Sequence, residues 1–333
     1  METKLNYKRT FLIALAFLSI CSFWQMYDNI IPLILQNTYH LGETMTGAVM
    51  ALDNVLAIFL LPVCGMLSDK VHTKLGRRMP FIVVGTILAV IFMMMLPMID
   101  NAEKARWATG GSFSNQVFFL GVLFLTLVSM GLYRSPAVAL MPDVTPNHLR
   151  SRANAVINLM GAVGGVYALI MIKVLVGKGE TPDYLPLFAS IAAVMAIAVG
   201  ILGITIRENK AANADTIEEK AMAEGVEAAG EIEAVGDTGE AKASDEKQQT
   251  AKTESTKDMP KDVKRSMYFM LASIFLWFTA YNAVTTAFSR YTKVVWKMEG
   301  GSFANCLMVA TVAAIFSYIP IGSISDKICT TLC

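Results

Sequence analysis

The 333-residue chain is poor in charged residues, in histidine and in cysteine. Only 17% of its residues are Asp, Glu, Lys or Arg, whereas an ordinary soluble domain carries about 25%. The three histidines, His40, His72 and His148, stand apart from one another, and none of the five cysteines forms a C-x-x-C pair. This spacing argues against a metal centre and against a disulfide framework.

Motifs that would indicate an enzyme or a nucleic-acid-binding protein are also missing. The chain has no G-x-x-x-x-G-K-[ST] phosphate loop, and its formal net charge of +1 is spread over many short loops. Direct use of ATP and binding to nucleic acid are therefore disfavoured. No pairing of a nucleophile with a general base is recognisable either, so we predict a protein that is not an enzyme and has no cofactor.

Hydrophobic residues make up 54% of the chain, and charge is concentrated in one stretch. Residues 207–265 hold 15 of the 27 acidic and 10 of the 28 basic residues, which leaves 12 acidic and 18 basic residues for the rest. So little charge cannot cover a soluble globule, whereas apolar runs of about 20 residues cross a bilayer as helices. The eight runs of this kind are residues 11–35, 45–66, 81–99, 117–141, 153–176, 185–206, 266–288 and 303–324. We predict an all-α, polytopic membrane protein.

The charges of the loops predict the orientation of these spans. Loops and termini on one side of the predicted bilayer carry 20 Lys and Arg residues, and loops on the other side carry five. Cytoplasmic loops are enriched in Lys and Arg, so we place both termini and residues 207–265 in the cytoplasm and the protein in the cell (cytoplasmic) membrane. Residues 207–265 also have a net charge of −5 and almost no aromatic residues, which is typical of a disordered linker.

A sequence repeat occurs on both sides of this linker. Residues 65–75, G-M-L-S-D-K-V-H-T-K-L, return as residues 322–332, G-S-I-S-D-K-I-C-T-T-L, with six of eleven positions identical. Duplicated halves are typical of secondary transporters. We therefore divide the chain into a six-helix half (1–206), a linker (207–265) and the first two helices of a second half (266–333). We expect eight helices of a twelve-helix bundle, in a chain that is truncated at its C-terminus.

The first copy of the repeat carries many charges for a short turn between two spans. Gly65 allows helices to approach closely, and Asp69 can pair with a cation or cap a helix. One interpretation is an anchor that only fixes topology. We favour a gating latch formed by Gly65, Asp69, Arg77 and Arg78 and repeated by Asp326 in the second copy, because an aspartate among four cations exceeds what topology needs.

Residues 65–78 resemble the signature loop of the major facilitator superfamily. The longer pattern S-D-K-x5-G-R-R-x-P-F-I at 68–82 resembles the sucrose–proton symporters and their relatives among the glycoside-pentoside-hexuronide:cation symporters. The stretch P-A-V-A-L-M-P-D at 136–143, followed by R-A-N-A at 152–155, is similar to the fourth and fifth helices of the same carriers. The resemblance implies a major-facilitator-type helical bundle, a sugar or glycoside as solute, H⁺ or alternatively Na⁺ as coupling ion, and Asp143 as the proton-binding carboxylate.

Three further ionisable residues lie well inside predicted spans. An ionisable side chain costs about 2.5 to 3.5 kcal/mol at the centre of a membrane helix on insertion scales. Asp28, Asp53 and Arg134 are such residues, and we predict that they face a cavity and take part in proton coupling together with Asp143. The alternative is a purely structural buried pair between Arg134 and either aspartate.

Polar and aromatic residues inside the spans are candidates for binding the solute. Asn154 and Asn158 begin a stripe at helical spacing that continues in Gly161 and Gly165, which predicts either a packing stripe or a polar lining. Aromatic residues next to asparagines on the first and seventh predicted helices suit either an interfacial belt or stacking on a sugar. The candidate solute-binding residues are Trp24, Tyr27, Asn29, Asn154, Asn158, Tyr281 and Asn282.

The combined interpretation is a monomeric, proton-coupled sugar or glycoside symporter that works by alternating access. Its expected partners are a small-molecule solute and the lipid bilayer. A buried carboxylate suits this role because it can bind a proton on one side of the membrane and release it on the other. Two alternatives stay open: an exporter of drugs or metabolites on the same fold, and a truncated membrane protein that does not transport.

Overall fold

The computed structural model describes residues 7–71, 73, 76–109, 115–143, 145, 150–177, 182–205, 261–298, 301–313 and 316. Within these ranges the chain is almost entirely α-helical. The helices are α1 (Tyr7–Asn37), α2 (Glu43–Lys70), α3 (Met79–Ala108), α4 (Gln116–Asp143), α5 (Arg150–Leu175), α6 (Leu185–Thr205), α7 (Lys261–Val295) and the short α8 (Ala304–Ala313). The end of α2, the start of α3 and the end of α4 meet at one end of the first six helices, here called the first end. The ends of α1 and α3 and the start of α6 meet at the opposite end, through Thr38, Asp100, Asn101 and Asp183.

Helices α1 to α7 are each long and apolar enough to span a membrane. They coincide with the first seven predicted spans, and the predicted all-α membrane fold is confirmed. The eighth predicted span, 303–324, contains α8, and most of its remainder lies outside the described residues. Helix α7 begins at Lys261, inside the range that the sequence predicted as linker, while residues 206–260 lie outside the described part of the chain.

Two glycines permit very close helix crossings. At Gly164 on α5 a Cβ atom would lie 2.2 Å from the carbonyl oxygen of Leu18 on α1, and at Gly85 on α3 it would lie 2.8 Å from the backbone nitrogen of Tyr133 on α4. The Ser22 hydroxyl also donates a hydrogen bond of 2.9 Å to the carbonyl oxygen of Gly164. Small residues let membrane helices approach closely, so these positions join α1 to α5 and α3 to α4.

The remaining contacts complete a six-helix bundle. Helix α1 also packs on α6, α3 also packs on α6, and α2 packs mainly on α4. The fully buried phenol of Tyr133 links α4 to α1, because its oxygen lies 2.6 Å from the Ser19 hydroxyl and donates to the Ala16 carbonyl oxygen at 3.0 Å. Helix α2 contributes least to the core and leaves apolar side chains such as Ile58 and Phe59 exposed.

The chain divides into two compact units. The first comprises Met1–Thr216 together with Thr286–Cys333, and the second comprises Ile217–Thr285. In the described part of the second unit, the side chains of α7 are largely exposed. In the first unit, the last turns of α7 meet the end of α1, where Arg290 Nη1 donates to the Asn37 side-chain oxygen at 3.3 Å.

Candidate functional site

A small central pocket lies between α1, α2 and α4. It has a volume of about 40 Å³, and among leucines and small residues it is lined by Trp24 from α1, Asp53 and Asn54 from α2, and Arg134 from α4. These residues lie far from the ends of their helices. The structure therefore brings together two of the charged residues that the sequence predicted to face a cavity, together with one of the predicted aromatic residues.

The charges of the central pocket interact without a close ion pair. The Arg134 guanidinium lies over the indole ring of Trp24, 5.6 Å from the ring centroid. Asp53 feels the charge of Arg134 and accepts a hydrogen bond of 2.9 Å from the Asn54 side-chain nitrogen. Among the described residues, the closest ion pairs occur elsewhere and do not include Arg134. The alternative of a tight structural pair between Arg134 and an aspartate is thus not the arrangement seen.

Asp28 and Tyr27 on α1 do not line this pocket but contact or interact with residues that do. The carboxylate of Asp28 is partly buried and close enough to Asp53 for the two charges to interact. The ring of Tyr27 is 1% exposed and meets the ring of Trp24 edge-on, with the centroids 5.4 Å apart. Two acidic side chains, one basic side chain and two aromatic rings are therefore grouped in the middle of the bundle.

Several buried polar atoms of α1 have no hydrogen-bond partner among the described residues. In the middle of the helix they are the indole nitrogen of Trp24, the phenol oxygen of Tyr27 and the side-chain oxygen of Asn29, and near its end they are the side-chain oxygen of Gln36 and the side-chain nitrogen of Asn37. The amide nitrogen of Asn29 does have a partner, because it donates to the Gln25 carbonyl oxygen at 2.8 Å. Buried polar groups in proteins are almost always paired with protein, water or ligand, so this part of α1 has hydrogen-bonding capacity for small molecules.

The polar stripe of α5 splits into two parts. Gly161 and Gly165 face α1, where a Cβ atom at Gly161 would lie 3.0 Å from the Cys21 sulfur. The side chains of Asn154 and Asn158 are exposed. Gly161 and Gly165 therefore form a packing stripe, as one of the two sequence interpretations predicts. Asn154 and Asn158 instead present a polar surface, as the other interpretation predicts.

The candidate residues of α7 lie in the unit Ile217–Thr285. Tyr281 and Asn282 are exposed there, and the ring of Tyr281 lies near that of Trp277, with the centroids 6.4 Å apart. Their role as solute-binding residues stays a prediction.

A second group of charges, here called the latch, joins three helices at the first end. Arg78, at the start of α3, donates from Nε to the carboxylate of Asp143 at the end of α4, with a distance of 2.8 Å. Its Nη1 donates to the hydroxyl of Ser68 on α2 at 2.7 Å. Arg77 lies farther from the same carboxylate, with 3.7 Å between Nη2 and Oδ2. Ser68 is fully buried and Arg78 is only 7% exposed.

Two glycines shape the latch. Gly65 lies on the face of α2 that meets α4, where a Cβ atom would lie 3.5 Å from the Ser135 hydroxyl oxygen. Gly76 has a φ of +121°, which favours glycine, and its turn is closed by a hydrogen bond of 2.7 Å from the Thr73 hydroxyl to its carbonyl oxygen. The side chain of Asp69 and the whole of Asp326 lie outside the described part of the chain, and their gating roles stay predictions.

The structure divides the predicted charged residues differently from the sequence interpretation. The sequence predicts that Asp143 acts together with Asp28, Asp53 and Arg134, but in the structure Asp143 is bound to Arg78 in the latch. Its proposed role as proton carrier stays a prediction, now with a specific cationic partner.

The sequence interpretation did not single out two residues of these groups. One is Asn54 in the central pocket, and the other is Ser68 as a ligand of Arg78. Asn54 could have been found from its position, because it is a polar residue inside a predicted span and directly follows Asp53.

The opposite end of the bundle carries a further polar cluster. Lys104 near the end of α3 donates to the Pro182 carbonyl oxygen at 2.6 Å and pairs with Asp100 one turn earlier. The exposed Asp183, in the connection before α6, accepts a hydrogen bond of 2.7 Å from the Asn101 amide. This hydrogen bond, with one from the Leu185 backbone N–H, holds the pKa of Asp183 below its usual value.

Comparison with known proteins now decides the family. A profile described as Major Facilitator Superfamily matches residues 6–332. The chain belongs to the major facilitator superfamily. Members of this superfamily are membrane transporters, so the protein is an integral membrane protein of the transporter class, and the resemblance inferred from residues 65–78 is confirmed.

Several plant proteins are similar to this major facilitator chain. Sucrose transport protein SUT3 of Oryza sativa subsp. japonica is 24% identical over 188 residues, which are 50% of this chain and 36% of that protein. Sucrose transport protein SUC4 of Arabidopsis thaliana is 36% identical over 117 residues, which are 33% of this chain and 22% of that protein. The matches thus cover well under half of the relatives' own lengths.

Proposed function

We propose that this major facilitator protein is a sugar or glycoside transporter coupled to protons. The single observation that supports the proposal is the central pocket, in which an acidic, a basic and an aromatic side chain from three helices meet in the middle of an apolar bundle. The named function of the similar plant proteins, sucrose transport, supports the choice of solute.

The chemistry of the central pocket suits both partners of such a transport cycle. Sugars bind through hydrogen bonds to their hydroxyls and through contacts of their apolar faces with aromatic rings. Trp24 lines the pocket and offers both, through its indole ring and its unpaired indole nitrogen. At about 40 Å³ the pocket is smaller than the roughly 300 to 1,000 Å³ of small-molecule sites. We propose that it forms one wall of a larger site that is completed by the exposed face containing Asn154 and Asn158.

Asp53 and Asp28 are the proposed proton carriers of the pocket. Asp53 feels the charge of Arg134, and Asp28 is close enough to Asp53 for their charges to interact. Protonation of either carboxylate therefore changes the balance of charge around the pocket. A proton moving down about 100 mV releases roughly 2.3 kcal/mol, and one pH unit adds about 1.36 kcal/mol. One proton for each solute molecule is therefore sufficient for accumulation of a neutral sugar by several hundredfold.

Asp143 would then act at the latch. In the proposed cycle, the bonds of Arg78 to Asp143 and Ser68 hold the ends of α2, α3 and α4 together at the first end, and their release accompanies a change of access. The orientation inferred from the loop charges assigns this end to the cytoplasm.

Uptake of radiolabelled sucrose and other glycosides into proteoliposomes with an acidic exterior tests the proposal. Asp53→Asn keeps the shape of the side chain, but the amide cannot bind and release a proton. We therefore expect loss of acid-driven accumulation with retention of exchange between labelled and unlabelled sugar. Asp183→Asn, which changes an exposed carboxylate far from the pocket, is the matched control and should accumulate sugar normally. Normal accumulation in both Asp53→Asn and Asp28→Asn would contradict the proposal, and active extrusion from loaded vesicles would favour the exporter.

A further inference from the structure

An apolar groove runs along the outer side of α3 and α6. It has a volume of about 490 Å³ and is lined by Met79 to Ile91 on α3 and by Ala196 to Ile204 on α6. The hydroxyl of Thr86, a polar group of its wall, already donates to the Ile82 carbonyl oxygen at 2.7 Å. The groove therefore offers only apolar contacts along its length.

Small residues on α6 open this groove. A Cβ atom added at Gly200 would meet no atom within 4 Å, and one added at Gly203 would make only ordinary contacts with Met79 and Val83, at 3.7 and 3.9 Å. The space beside α6 is thus not filled by neighbouring side chains of the first unit.

The length and position of the groove decide between two kinds of occupant. The lining from Met79 to Ile91 extends about 18 Å at 1.5 Å per residue, whereas the hydrocarbon of a bilayer is about 30 Å thick. A helix of a second copy would need a groove along the whole thickness. A lipid acyl chain reaches only through one leaflet, which is the length available here.

The groove begins at the first end, at Met79, two residues after a partly exposed arginine. Met79 and Gly203 line the groove near this end, and Arg77 precedes Met79 by two residues. The Arg77 side chain is 41% exposed, and its contact with Asp143 is long, at 3.7 Å. The first turn of α3 has no side-chain cap, so its positive dipole end adds to the same charge.

We propose that this groove binds an anionic phospholipid, with one acyl chain between α3 and α6 and the phosphate on Arg77. Basic pockets between membrane helices on the cytoplasmic side bind anionic headgroups, and the loop charges predict that the first end is cytoplasmic. The lipid would brace α3 against α6 next to the latch. This inference concerns lipid binding alone and does not depend on the solute or on coupling.

Lipid retained by the purified full chain tests the proposal, measured by native mass spectrometry after equilibration with phosphatidylglycerol or phosphatidylcholine. Gly200→Leu fills the groove without a backbone clash and should lower phosphatidylglycerol retention at least tenfold, because several buried methylenes contribute about 0.8 kcal/mol each. Gly121→Leu is its control, since a Cβ atom there also meets nothing within 4 Å and α4 does not line the groove.

The headgroup contact has its own variant and control. Arg77→Gln should lower phosphatidylglycerol retention about fivefold, because one basic side chain near an anionic surface contributes about 1 kcal/mol. Arg106→Gln, at the exposed opposite end of the same helix, should leave it unchanged. Size-exclusion chromatography establishes whether each variant is folded. If Gly200→Leu is not folded, the comparison of Arg77→Gln with Arg106→Gln still tests the proposed lipid site.

Three results would overturn the proposal. They are equal retention of phosphatidylglycerol and phosphatidylcholine by the wild-type chain, retention unchanged in both Gly200→Leu and Arg77→Gln, and a cross-linked dimer that is lost in Gly200→Leu. The last result would show that a second copy occupies the groove.

Discussion

The latch and the central pocket both contain arginine and aspartate, but within the described part of the chain only in the latch do the two form a close ion pair. In the latch, the Arg78 guanidinium makes hydrogen bonds of 2.8 and 2.7 Å to Asp143 and Ser68. In the pocket, Arg134 lies over the ring of Trp24, and the indole nitrogen of Trp24 has no partner among the described residues. We infer that the paired charges of the latch fix helix ends, whereas the pocket keeps its hydrogen-bonding capacity for other molecules.

Removing the latch arginine should have the largest effect on stability. Arg78→Ala removes the donor to the buried Ser68 hydroxyl and leaves the Asp143 carboxylate with only its longer contact to Arg77. Breaking a buried pair costs about 3 to 5 kcal/mol, and because Asp143 is partly exposed we expect a loss near the lower end of this range. Thermal and denaturant unfolding in detergent measure the change. Arg77→Ala is the matched control, and its longer, more exposed contact predicts a loss of at most about 1 kcal/mol. Equal losses of unfolding free energy in Arg78→Ala and Arg77→Ala would contradict the prediction that Arg78 is the main structural charge of the latch.

A methyl group at Gly164 should have the next largest effect. Gly164→Ala puts a Cβ atom 2.2 Å from the Leu18 carbonyl oxygen, so α1 must move away from α5, at a cost of about 1 to 3 kcal/mol. Since α1 carries Trp24 and Tyr27, sugar binding should weaken as well. Gly121→Ala, at an open helix position, should instead raise stability by up to about 1 kcal/mol. A stable Gly164→Ala variant with unchanged sugar binding would show that the crossing is not needed to position α1.

Removing the pocket arginine should affect stability less than removing the latch arginine. Arg134→Gln loses mainly the contact with the Trp24 ring, which contributes about 0.5 to 1 kcal/mol at accessible sites. The unfolding temperature should therefore change little, while sugar transport in proteoliposomes should fall strongly. A destabilisation as large as that of Arg78→Ala would mean that Arg134 is also a structural charge.

The smallest effect is expected at Asp183. Its hydrogen bonds lower the pKa of the carboxyl, so the stabilising contribution is present at neutral pH and is lost as the pH falls through this lowered pKa. Asp183→Asn should change the free energy of unfolding by less than about 0.5 kcal/mol near neutral pH, as for most exposed substitutions. Unfolding curves between about pH 7 and pH 3 should converge for the variant and the wild type at the acidic limit. A difference in stability between Asp183→Asn and the wild type that grows toward low pH would contradict the lowered pKa of Asp183.

The sequence predicted the helices better than the contacts between them. Long apolar runs are sufficient to locate spans, because a membrane helix satisfies its own backbone hydrogen bonds. The positions of Asp53 and Arg134 inside spans predicted a shared cavity, and the two side chains do line one pocket. The cost of an isolated charge in hydrocarbon made that prediction possible.

The partners within the latch could not be predicted in the same way. Asp143 and Arg78 are 65 positions apart in the chain, and their contact depends on the rotation of α4 against α3. That rotation is set by close packing at Gly85 and Tyr133, which leaves no periodic signal in the sequence. For the same reason the stripe on α5 could not be divided beforehand into its packed glycines and exposed asparagines.

Alkylation of a cysteine in the pocket tests most directly whether the unpaired groups there receive a sugar. Asn54→Cys introduces a thiol at an exposed position of the pocket wall, and Ile58→Cys introduces one on the same helix outside it. Mass spectrometry then follows labelling of each site by a small maleimide, with and without sucrose or a panel of other glycosides. We expect at least one sugar to slow labelling of Asn54→Cys several-fold and to leave labelling of Ile58→Cys unchanged. Equal labelling rates with every sugar at both positions would contradict it.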